Sequence, residues 1–114
     1  MKNVNERKTS PESKKVDIMS KSGAAFEFDY VAFDGNLDKL SELLGDNYAG
    51  MYLFAKNDTE IKVLYKGESE DIAKVLKEKS VKDAVSELGA TIFCYVHEDT
   101  QYLRRDIIGD IICE

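Results

Sequence analysis

The chain has 114 residues, 43% hydrophobic and 33% charged, with a formal net charge of −6, which fits one small domain with a hydrophobic core rather than two domains or a disordered chain. At this length folding buries roughly two thirds of the unfolded surface, so no disulfide staple is required; Cys94 and Cys113 show neither CxxC spacing nor a companion histidine pattern. A reduced, cytoplasmic setting is expected, with no membrane span or signal peptide, because no apolar stretch approaches the roughly 20 residues a span needs.

Residues 1–22 are polar, holding Lys2, Arg7, Lys8, Lys14, Lys15 and Lys21 against Glu6, Glu12 and Asp17, together with the one proline, Pro11. Their balance of +3 leaves −9 for the remainder. With no sustained period of 2 or 3.6, this stretch reads as a disordered, solubilising leader, and residues 23–114 as the folded domain. Phe26, Phe28 and Tyr30 then alternate with Glu27 and Asp29, the pattern of a half-buried strand. Leu37, Leu40, Leu43 and Leu44 follow, with Gly45 as a stop signal, and predict a short amphipathic helix. The apolar runs 49–55 and 61–65 flank the turn-forming Asn57, Asp58 and Thr59 and predict an antiparallel hairpin.

Ser69 with Glu70 and Asp71 opens a helix whose apolar stripe is Ile72, Val75 and Leu76. Ser80, with Asp83 at the capping-box position, opens another with Val81, Ala84, Val85 and Leu88 on one face and Gly89 beyond them. The run 91–96 is continuously apolar and rich in β-formers, so a central strand covered on both faces is expected. Between 99 and 113, Leu103, Ile107 and Ile111 share a helical stripe that Ile108 and Ile112 widen. The expected class is α+β, a small mixed or antiparallel sheet of three or four strands flanked by helices.

Two segments of the hairpin carry a family signal: Gly50, Met51 and Tyr52 on its first strand, and Tyr65 to Ser69, Tyr-Lys-Gly-Glu-Ser, at the end of its second. Together they resemble the paired motifs of the GIY-YIG nuclease superfamily. The helix opening Ser-Glu-Asp-Ile, the Leu-Gly-Ala-Thr run of 88–91 before a buried strand, and Arg104, Arg105 and Asp110 to Ile112 on the last helix follow that family's order. The strand at 26–33 and the helix at 37–44 suit a bacterial branch that places such a strand before the hairpin. The resemblance covers about residues 24–112.

It implies phosphodiester hydrolysis with one divalent metal: a motif tyrosine helps generate the nucleophile, an arginine steadies the phosphate and a glutamate holds the metal. Tyr52 and Tyr65 fall on the motif tyrosines and Gly67 on the motif glycine, but the arginine position is Val75 and the glutamate position is Ile108. Neither aliphatic can supply the cation that a phosphoryl-transfer transition state requires. The expectation is therefore a catalytically inactive GIY-YIG-like module, binding or regulatory, working through an unknown protein partner, with weak or absent nucleic-acid binding, no membrane association and no cofactor. The alternative is a Mg²⁺-dependent endonuclease with a rearranged site that uses Tyr52, Tyr65, Glu68 and Arg104. A third reading is a non-catalytic nucleic-acid binder using Lys74, Lys77, Lys79, Lys82 and the basic leader.

The same residues have plainer readings. Tyr52 and Tyr65 serve as packed strand aromatics, Arg104 and Arg105 as surface ion-pair partners, His97 as a strand-end residue, Cys94 as a small buried hydrophobe, and Gly67 as a turn between strand and helix. The lysines of 74–82 alternate with Glu70, Asp71, Glu78 and Asp83, as on a solvated face.

Overall fold

A computed structural model describes residues 14–113. The described chain is an α+β fold of five antiparallel strands, curled into a half-barrel, and four helices. In chain order these are β1 (Lys14–Met19), β2 (Ala25–Ala32), α1 (Leu37–Leu44), β3 (Gly50–Asn57), β4 (Ile61–Ser69), α2 (Ile72–Val75), α3 (Lys79–Ser86), β5 (Ile92–His97) and α4 (Gln101–Asp110). The strands lie in the order β1-β2-β5-β3-β4.

The expected elements from Phe26 onward are present, and the run 91–96 is indeed the central strand. The leader expectation is corrected at its C-terminal end, where Lys14–Met19 forms an edge strand; residues 1–13 lie outside the described residues. Val16 pairs with Phe28 and Ile18 with Phe26 in that ladder. Val16 and Ile18, the two apolar residues of this strand that face the core, are too short a run to display a period, and only β2 gives them a surface to cover. β1 is the additional strand that makes the sheet five-stranded, and every pairing is antiparallel.

Alternation sends side chains to two cores. On one face, Val31, Tyr52, Phe54, Phe93 and Tyr95 pack beneath residues of α1, α2 and α3. On the other, Phe28, Leu53 and Cys94 gather with Ile111, which follows α4. Fully burying each of Phe28, Phe54 and Phe93 contributes roughly 1.5–3 kcal/mol. One irregularity matters for the motif residues: Phe54 pairs with Tyr65 and Ala55 with Val63, so Leu64 is an extra residue in β4. The bulge reverses the facing of β4, placing Tyr65 with the first core and Val63 with the second.

Two of the four described helices begin where a side chain satisfies a free N–H group. Asn36 accepts from the Lys39 amide at the start of α1, and Asp71 from the Lys74 amide at the start of α2. Asp71, not Ser69, is the cap of α2; the Ser69 hydroxyl accepts instead from the Asp71 amide. α3 starts at Lys79 behind Glu78 with no side-chain cap, and Asp83 binds Lys79 Nζ at 2.8 Å rather than closing a capping box. The buried Ser41 of α1 donates to the Ala73 carbonyl, joining α1 to α2.

Candidate functional site

β3 and β4 carry the two motifs, and both motif glycines answer to close packing. A Cβ on Gly50 would collide with the Val96 carbonyl of β5. Gly67 lies inside β4, not in a turn, and a Cβ there would collide with the ring and hydroxyl of Tyr52. Tyr52 is paired with Gly67 across the ladder and lays its ring over it. Its ring stacks at 6.4 Å on Tyr65 and at 6.5 Å on Phe93, within an aromatic row that continues to Tyr95 and Tyr48.

Tyr52 is 4% exposed. Burial, reinforced by the neighbouring Tyr65, Glu78 and Glu68, raises its phenol well above the ordinary tyrosine value, which opposes formation of a phenolate. The hydroxyl has no hydrogen-bond partner among the described residues.

Val75 is half-buried on this same face, packed against the aromatic core. Ile108 belongs to the opposite core, beside Ile107 and Ile111. The sheet therefore separates the two positions at which the resemblance calls for arginine and glutamate.

The candidates of the rearranged site are separated in the same way. Glu68 lies on the α4 side of β4, opposite in facing to Tyr65 and Gly67. Arg104 reaches it from α4: Nε donates to Glu68 Oε1 at 2.7 Å, and Nη1 donates to the Glu98 and Asp99 carbonyls at 3.1 and 2.8 Å. Arg105 approaches Oε2 at 3.5 Å. The surface reading of Arg104 is corrected, since its side chain is only 3% exposed while that of Arg105 is 65% exposed. A buried guanidinium is tolerated because its charge and donors meet a carboxylate and backbone carbonyls.

Sequence reasoning missed Lys66. Its Nζ donates to the Ile108 and Ile111 carbonyls, each at 2.8 Å, placing a cation at the negative end of α4. The signal available was the two-residue spacing of Lys66 and Glu68, which puts both on one face of a strand.

The positions do not fit a divalent cation of the kind the resemblance implies. Ile108 offers no oxygen from its side chain, and the Glu68 carboxylate is taken up by two guanidinium groups.

His97 is an exposed strand-end residue, 3.3 Å from Asp99 and edge-on to Tyr48. Among the lysines of 74–82, Lys79 pairs with Asp83 and Lys82 with Asp38. Clefts of about 580, 360 and 320 Å³ are lined by none of the motif residues. No described helix is long and apolar enough to cross a membrane.

Compared with protein-family models, with curated proteins and with solved structures, the chain matches none.

Proposed function

We propose that this chain is a non-catalytic module of GIY-YIG-like descent that acts through protein contacts in a reducing, cytoplasmic setting. The observation that carries the reading is the state of Glu68. As the carboxylate next to the second motif, it is the natural substitute metal ligand, and it is held by Arg104 and Arg105 across the sheet from Tyr52 and Tyr65. Opening that site would leave the buried Arg104 without its counter-charge, a change that costs more than a surface ion pair contributes.

Charge supports the same reading. Phosphate binding draws its affinity from Lys and Arg that neutralise the backbone, and a chain of net charge −6 with Lys79 and Lys82 already paired offers little for it. Two free thiols, the buried Cys94 and the exposed Cys113, suit a reducing compartment.

The test is incubation of the full chain with supercoiled plasmid and a labelled DNA hairpin, in low salt, with Mg²⁺ or Mn²⁺. The expected result is no cleavage above buffer and no retention of the hairpin. Metal-dependent cleavage that disappears in Tyr65→Phe would overturn the proposal and establish the rearranged nuclease.

A further inference from the structure

The curled sheet has two edges. β1 pairs only with β2 and β4 only with β3, so the outer backbone of each is unpaired by any strand among the described residues. At one level the chain itself spans the gap between these edges. Ile111 is extended, forms a bridge with Ser20 beyond β1, and offers its carbonyl to Lys66 of β4. At the adjoining level lies the cleft of about 320 Å³, bounded by Asp17 and Met19 of β1, by Ile61 at the start of β4, by Glu60 just before it, and by Ile112.

The cleft is apolar within and acidic at its rim. Ile18 and Val63, each 4% exposed, form its floor. Met19 is 58% exposed and Ile112 is 49% exposed, two of the four large apolar side chains most open to solvent in the described chain. No lysine or arginine lines the cleft, and neither Asp17 nor Glu60 makes an ion pair among the described residues.

We infer that this cleft binds an extended segment of a partner protein in which apolar residues alternate and basic residues flank them. The inference deepens the reading of the chain as a protein-binding module and rests on it. Extended backbone is the conformation that edge strands recognise, through main-chain hydrogen bonds, with pockets reading alternate side chains. Ile111 already lies against one side of this gap as extended backbone, bridged to Ser20 and reached from β4 by the Lys66 side chain. Charge complementarity selects the occupant: Asp17 and Glu60 favour lysine or arginine at the ends of the segment and repel a second copy of this acidic chain.

The experiment is an amide chemical-shift titration of the ¹⁵N-labelled full chain with the peptide Lys-Val-Thr-Ile-Thr-Lys, beside the same peptide flanked by glutamates. Shifts are expected along Asp17 to Met19, Glu60 to Val63 and at Ile112. The Glu-flanked peptide should bind about fivefold more weakly or worse, as two exposed charge pairs permit. Asp17→Lys combined with Glu60→Lys should reverse that preference, and Ile112→Glu, a change at an exposed site, should weaken both peptides.

Equal binding of the two peptides overturns the proposal, as does an absence of shifts at millimolar peptide. Shifts elsewhere on the surface overturn the cleft while leaving the binding-module reading in place. Broadening that grows with protein concentration and no peptide assigns the cleft to self-association instead. DNA cleavage, measured separately, is what removes the broader reading.

Discussion

Arg104 on α4 and Glu68 on β4 meet at 2.7 Å although 36 residues separate them in the chain, and the pair fastens the last helix to the edge of the sheet. Removing Glu68 leaves Arg104 charged and buried, so Glu68→Ala should lower unfolding stability by about 3–5 kcal/mol. A paired Arg104→Met and Glu68→Met change should recover most of that loss, because well-packed apolar residues replace a buried ion pair at little cost. Urea denaturation of the two variants beside the unsubstituted chain checks this. A recovery smaller than 1 kcal/mol would mean that the carbonyls of Glu98 and Asp99 depend on the guanidinium more than Glu68 does.

Tyr52 over Gly67 is the second fixed relationship. Gly67→Ala should destabilise the fold by about 1–3 kcal/mol through overpacking, and Tyr52→Leu in the same chain should restore part of it by vacating the ring's position. Tyr52→Phe alone should change stability by less than about 1 kcal/mol, because the lost hydroxyl leaves no partner unsatisfied. Thermal melts monitored by circular dichroism separate the three.

The two thiols should differ in reactivity. Burial pushes the Cys94 thiol up to about 12, whereas Cys113 is exposed. Because the thiolate is the reacting species, alkylation with iodoacetamide at pH 8 should add one label to the native chain, at Cys113, and a second only in denaturant. Mass spectrometry of the intact protein reads the count.

At acidic pH the contact between the β1–β2 turn and α4 should weaken. The Ser22 hydroxyl, donating to Asp110 at 2.6 Å, is the first cause that holds this carboxyl below its usual value of 3.8, aided by the Ser20 hydroxyl, the Ser22 amide and Lys21. A depressed folded-state value stabilises above the unfolded value and is lost as pH falls through the folded one. Ser22→Ala should therefore lower stability above pH 3.8, the neutral range included, where the contribution is fully present, and flatten the fall of stability at more acid pH, as measured by urea midpoints across pH.

Restoring the two expected charges should not restore cleavage. Val75→Arg and Ile108→Glu together place a cation and a carboxylate on opposite faces of the sheet, so they cannot converge on one phosphate. A plasmid-nicking assay on the double variant, with folding verified by circular dichroism, should show no activity; nicking would mean that α4 can dock in a second arrangement against the sheet.

The candidate site was legible in part. Tyr52, Tyr65, Gly67, Glu68 and Arg104 are all placed by two strands and a helix that the sequence marks clearly. Which of them meet was not legible, because pairing across a sheet depends on facing, and one bulge at Leu64 reverses the facing of β4. Arg104 illustrates the difficulty: on α4 it neighbours aspartates at 106 and 110, which suggests a surface residue, yet its counter-ion comes from β4 and its remaining donors go to carbonyls before the helix.

Local chemistry in the sequence determined the element order from Phe26 onward, the central strand and the α+β class, because alternation, helical stripes and turn residues act within a few positions. The tertiary structure alone decided that Lys14–Met19 joins the sheet, that Lys66 caps α4, and that Arg104 of α4 meets Glu68 of β4. Those outcomes depend on partners supplied by distant segments, and a side chain's own neighbours in sequence carry no record of them.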